Sequence, residues 1–291
     1  ENKSGKFPVV TMSGTNIARM VTGSKKIDGV VQSTYMELEK TEKNIVKRTA
    51  IKLELLDTDK YVRELTEDDY FSYNKAMADP MKSKNFWSSF VKGLTGNTEN
   101  PAYKNLNLSS IMEDEFNCGM MFVSGTNKNI NRLKSIIETA IPNWSIIVVN
   151  NNHTSNYKVK DDVTKEIEFA KQDKKEGILI ISNTMGSRSL SISEIQASII
   201  AYDRGGIDPT VQKISRCLTP GKMLNGETKK TAYIVTCSMD SNRDNTMTEI
   251  LTEEAVIQSE IFGQTAEKVT KQLLNNVSIL STDYLGNRVE M

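Results

Sequence analysis

The chain has 291 residues, and its 37 Lys+Arg balance 37 Asp+Glu to a formal net charge of zero. That length holds about two domains of roughly 100 to 200 residues, and the zero charge gives no global signature of a nucleic-acid or membrane-surface partner. At 38% hydrophobic and 25% charged the composition is that of an ordinary globular protein, and no apolar run approaches the roughly 20 residues that span a bilayer.

The first 118 residues are irregular in pattern. Residues 7–10 read as a strand, and 51–55 alternate as a half-exposed strand does. Residues 61–117 read as helical or irregular, broken at Asp79-Pro80 and in the turn-rich stretch 93–101. From about Gly119 short apolar runs alternate with amphipathic stretches, which is the pattern of a parallel α/β sheet. The predicted strands are 120–123, 146–149, 178–181, 197–201 and 233–236, apolar enough to be covered on both faces. Ile130, Leu133, Ile136, Ile137 and Ile141 predict a helix after the first of these. A second helix is predicted around 163–170, and a third where Val211, Ile214 and Leu218 align. Residues 240–260 carry six acids against Arg243 alone, and the following stripe Val269, Leu273, Leu274 and Val277 predicts a helical tail.

Cys118, Cys217 and Cys237 are the only cysteines, in no metal-ligand spacing, and His153 is the only histidine. A disulfide framework and a Cys/His zinc site are therefore not expected, and a reduced cytosolic setting fits. His153 lies in a polar run, 150–156, that reads as an exposed loop, which argues against histidine-dependent hydrolysis. The chain starts at Glu1 with no signal-peptide pattern, as expected of a piece excised from something longer.

In open α/β sheets ligands bind at the carboxyl ends of the strands. After the strand 120–123 comes Ser124-Gly125-Thr126-Asn127-Lys128, opening a helix whose first-turn N–H groups suit a phosphate, or simply an N-cap. After 178–181 comes a run from Ser182 to Ser191 rich in hydroxyls and holding Gly186 and Arg188, suited to phosphate oxygens. In the third segment Gln212 and Arg216 form an i, i+4 pair on a face apart from Ile214 and Leu218. From Gln212 to Lys230 five basic residues face Glu227 alone, a local positive patch inside the zero total.

In order and spacing these segments resemble the second RecA-like domain of superfamily two helicases and translocases. Ser124 to Lys128 corresponds to motif IV, Thr184 to Ser191 with its following strand to motif V, and Gln212-x-x-Ser215-Arg216 to motif VI. Val9-Val10-Thr11-Met12-Ser13-Gly14-Thr15-Asn16 looks like motif III, which closes the first RecA-like domain. The resemblance implies a parallel RecA-like, P-loop NTPase-type α/β sheet flanked by helices, preceded by a partial RecA-like domain and a helical linker or insertion. The implied division is 1–56 as the remnant of the first domain, 57–117 as linker, 118–240 as the second domain and 241–291 as a helical tail.

The same resemblance implies roles. Arg216 matches the arginine that reaches the γ-phosphate across the interdomain cleft, with Gln212 at the same cleft. Ser124, Thr126, Asn127, Lys128, Thr184 and Ser187 fall where the tracked strand is contacted. Ser13, Thr15, Gly186 and Arg188 fall at nucleotide-binding or coupling positions. ATP and Mg2+ are the implied cofactors; nucleic acid, DNA ahead of RNA, and an upstream RecA-like domain are the implied partners, with no membrane. The cytoplasm is the expected setting, the host's if the source is viral.

Departures qualify the match. Motif VI often carries a second arginine where this chain has Thr219, and motif V a Gly-Ile/Leu-Asp core where it has Ser189-Leu190-Ser191. Such drift resembles virus-encoded or otherwise divergent helicases. No G-x-x-x-x-G-K-S/T P-loop occurs and no Asp-Glu pair precedes Ser13, so ATP would be held mainly by an upstream half and the chain by itself is expected to hydrolyse nothing. A non-catalytic nucleic-acid-binding module with a degenerate helicase fold is the alternative. A Rossmann-type enzyme lacks its G-x-G-x-x-G after every predicted strand.

Overall fold

The computed structural model describes residues 51–57, 77–98, 107–111, 115–149, 156–183, 192–201, 212–213, 215–219, 221–229, 232–238, 277–282 and 288–290, with isolated positions between 256 and 271. All of them belong to one compact unit, Asn44–Met291.

Uninterrupted apolar runs rich in Ile, Val and Met become strands because β-branched and large side chains pack well on a pleated surface. The strands are β1 Ile51–Asp57, β2 Cys118–Phe122, β3 Trp144–Val149, β4 Gly177–Ser182, β5 Ala197–Ile200, β6 Ala232–Ser238, β7 Val277–Thr282 and β8 Arg288–Glu290. They form a single sheet in the order β3-β4-β2-β5-β6-β1-β7-β8. Every described pairing is parallel except β7 with β8. The predicted parallel α/β sheet flanked by helices is the architecture observed.

The helices are α1 Lys84–Leu94, α2 Leu108–Ile111, α3 Asn127–Ala140 and α4 Asn156–Gln172, with a 3-10 turn, η1, at Ser215–Leu218. Strand parity divides the core into two halves. Met121, Val123, Leu179, Ile181, Ile199, Tyr233 and Val235 face α1 and α3, whose Phe86, Trp87, Phe90, Ile130, Leu133 and Ile137 cover them. Cys118, Met120, Phe122, Ile178, Ile180, Ile200 and Ile234 face the other way, under Val159, Val163 and Ile167 of α4 and Cys217 of η1. Each fully buried Ile, Leu or Phe contributes roughly 1.5–3 kcal/mol, so two stacked layers fix the sheet from both sides. Trp87 and Trp144 are spent on this packing. Trp87 is fully buried, its ring 4.9 Å from that of Phe86, and Trp144 lies 5.3 Å from Phe116.

Two elements differ from their sequence expectation. The tail ends in β7 and β8, and Val277, predicted on a helical stripe, opens β7. Its register against β1, Ile51 opposite Val277, supplies hydrogen bonds that no local pattern announces. Of the expected helix over 211–218, residues 212–213 are helical and Ser215–Leu218 form the 3-10 turn η1. β1 is hydrogen-bonded between β6 and β7.

Candidate nucleotide and nucleic-acid site

β2 lies between β4 and β5, and the chain leaves β2 toward β3 on one side but leaves β5 toward β6 on the other. The carboxyl ends of β2, β4 and β5 thus meet at the topological switch point, where ligands of open α/β sheets are held.

Thr126 is the N-cap of α3, with extended φ/ψ of −72° and 153°, and its hydroxyl accepts from the Asn129 amide at 3.3 Å. The cap partly neutralises the unpaired first-turn donors and fixes where the helix begins. Asn129 in turn donates through Nδ2 to the Ala78 carbonyl at 3.1 Å, tying the start of α3 to the turn before α1. A Cβ at Gly125 would come within 2.9 Å of the Met77 methyl, so this turn packs closely on Met77. Ser124, Thr126 and Lys128 are exposed and Asn127 is half-buried.

The segment after β4 joins this one directly. The Val123 amide donates to Ser182 O at 2.9 Å, and Asn183 donates from its backbone to Val149 O at 3.0 Å and from Nδ2 to Gly125 O at 3.2 Å. Asn183 therefore latches the ends of β2, β3 and β4 together, a role marked in the sequence only by a polar residue closing an apolar run. Thr184, Gly186, Ser187 and Arg188 follow immediately but lie outside the described residues, as do Ser13 and Thr15.

Arg216 lies in η1, which packs against β5, β6 and β2, and Gln212 precedes it. Both are half-buried, and Arg216 Nε donates to the main-chain carbonyl of Gln212 at 2.9 Å. Burial lowers the Arg216 pKa, yet a guanidinium stays charged under any ordinary condition. Its planar set of donors is chemically matched to phosphate oxygens. Among the described residues no group of three His, Cys, Asp or Glu side chains is placed to hold a metal, so a Mg2+ site is assigned to none of them.

Beneath η1 lies a buried polar frame. Ser198 Oγ donates to Lys213 O at 3.1 Å and accepts from the Cys217 amide at 3.3 Å. Lys229, 1% exposed, donates from Nζ to Ile195 O at 2.7 Å and Cys217 O at 2.8 Å. Burial pulls its pKa down, while Cys217, Cys118 and Glu194 pull it back up. Gln196, fully buried, accepts at Oε1 from the Asn117 and Cys118 amides and donates from Nε2 to Glu115 O at 2.8 Å. Sequence reasoning missed these residues. Lys229 stands between Thr228 and Lys230 and looks solvated, and Gln196 looks like a loop residue.

No protein family and no curated protein matches the chain in sequence. Among solved structures it is similar to S. cerevisiae Dbp5 bound to RNA and ADP BeF3, at 10% identity and a TM-score of 0.39, over 80% of this chain and 42% of that one. The chain thus spans less than half the length of that structure. It is also similar to the C-terminal domain of the DEAD-box protein Dbp5, at 8% identity and a TM-score of 0.40, over 81% of this chain and 91% of that domain. A third similarity, at 9% identity and a TM-score of 0.45, is to the ATP-dependent Type ISP restriction-modification enzyme LlaBIII bound to DNA, over 85% of this chain and 16% of that one. Identity at this level transfers no residue roles.

Proposed function

We propose that the chain is the C-terminal part of an ATP-dependent nucleic-acid helicase or translocase. What supports this reading is the order of the motif-like segments along the chain, together with the Asn183 to Gly125 bond that joins the ends of β4 and β2 beside the switch point and the Arg216 to Gln212 bond. Open α/β sheets bind ligands there for a physical reason: helix N-termini and unpaired loop amides face outward at that edge.

Under this reading Ser124, Thr126, Asn127, Lys128, Thr184 and Ser187 hold the phosphates of a strand, and DNA is preferred to RNA. Hydroxyls and amides contact the backbone without reading bases, as a protein that moves along any sequence requires. Gly186, Arg188, Ser13 and Thr15 report nucleotide state to the strand. Arg216 completes an ATP site built mainly by an upstream RecA-like domain that carries the P-loop and binds Mg2+. ATP bound there supplies the phosphoanhydride whose cleavage opens and closes the cleft. What this chain would contribute is the Arg216 guanidinium, held at Nε by the Gln212 carbonyl, to stabilise charge that develops on the transferred phosphoryl group.

The test joins the chain to its preceding coding sequence and measures nucleic-acid-stimulated ATPase. R216A is expected to lower kcat by about a thousandfold or more, as loss of an arginine finger does, while leaving single-strand affinity without nucleotide unchanged. An unaltered rate sinks the role of Arg216. A second reading, a non-catalytic binding module, is favoured by Thr219 where a second arginine is usual and by the missing P-loop. It expects strand binding indifferent to ATP even in the longer protein.

A further inference from the structure

A four-residue 3-10 turn cannot satisfy its own terminal carbonyls, and in η1 that of Cys217 meets a buried donor, Lys229. Arg216 sits on this turn, so its reach depends on what holds the main chain around it. Two side chains from outside the turn do so. Ser198 on β5 takes the Cys217 amide and the Lys213 carbonyl, and Lys229 takes the Cys217 carbonyl. The residue immediately after Arg216 is therefore clamped at both its N–H and its C=O.

Lys229 differs from Ser198 in what it connects. Its backbone N–H donates to Gly221 O at 3.0 Å, closing a hairpin whose Lys222 and Thr228 pair across it. Its ammonium crosses to Ile195 O, at the entrance to β5, and to Cys217 O. One buried cation thus ties three chain segments at the base of the arginine turn. A buried ammonium is costly to desolvate unless carbonyls replace its water, as Ile195 O and Cys217 O do here. The hairpin is seated from its other end as well: a Cβ on Gly221 would collide with the Ser193 side chain, so only glycine permits this approach.

We propose that Lys229 is a positioning residue for Arg216, its buried ammonium setting the orientation of the turn from which the guanidinium reaches the nucleotide. This rests on the assignment of Arg216 to the ATP site. The variant is K229M, which keeps an unbranched stem of similar volume and removes the donors, assayed in the longer protein with nucleic-acid-stimulated ATPase. Displacing a catalytic group by an ångström or so costs up to a hundredfold, so kcat is expected to fall about tenfold or more while KM for ATP and strand affinity stay within about twofold. In an R216A background K229M is expected to change nothing further.

A kcat unchanged by K229M, or an equal loss in both backgrounds, overturns the positioning role and leaves Arg216 standing. A rate indifferent to R216A removes the assignment of Arg216 and the inference with it. If K229M does not fold, K229Q decides, because it keeps a polar side chain that can donate to a carbonyl and removes the cation. Its kcat should fall with Arg216 present and change nothing further in an R216A background; an unchanged rate, or an equal loss in both backgrounds, overturns the proposal.

Discussion

Thr126 shows how one residue serves two purposes. The sequence offered it as a cap or as a phosphate contact, and its hydroxyl accepts from the Asn129 amide. A hydroxyl that accepts from its own helix still presents its proton outward, so capping and strand binding are compatible. T126A is expected to lower stability by about 0.5–1 kcal/mol, the low end for an exposed cap, and T126S to restore it, as measured by urea unfolding. On the proposed function T126A also weakens single-strand binding while T126S does not. Thr126 was legible because capping is local in sequence. Gln196 and Lys229 were not, since what makes them interior is the arrival of carbonyls and amides from Glu115, Asn117, Ile195 and Cys217, all remote or contributed by the main chain.

At the scale of elements, β2 to β6 were legible because a strand buried on both faces leaves a continuous apolar run, and α3 because Ile130, Leu133 and Ile137 mark one face. β7 and the 3-10 form of η1 were not: the first depends on pairing with β1, the second on the grip of Ser198 and Lys229. The start of β4 shows how tightly these elements fit. A Cβ at Gly177 would stand 2.6 Å from the Asn117 carbonyl and 2.7 Å from the Trp144 ring. Neither backbone nor a packed indole can retreat freely, so G177A is expected to cost roughly 1–3 kcal/mol by overpacking. Chemical denaturation measures it, and a neutral result would mean that β3 and β4 shift apart without loss.

For the whole molecule, the zero net charge hides a division between a basic segment at 212–230 and an acidic one at 240–260. The structure trims the first, because Lys229 is committed to two carbonyls in the interior and can meet no phosphate. With Arg216 assigned to ATP, three cations of that segment remain for a strand, Lys213, Lys222 and Lys230. At about 0.7 per phosphate on a single strand, this segment supplies a slope of log affinity against log salt no steeper than roughly −2. A slope well beyond that, from binding titrated over a salt series, would place the main contacts elsewhere, with Lys128 and Arg188 the next to mutate. The order of the sheet carries a consequence in time. β1 is synthesised before every strand it touches, yet its neighbours are residues 232–238 and 277–282. On a ribosome the half formed by β3, β4, β2 and β5 can assemble while β1 still shows two bare hydrogen-bonding edges, and long-range closure of this kind is slow. The growing chain must keep that strand from a wrong partner until its right ones have been made.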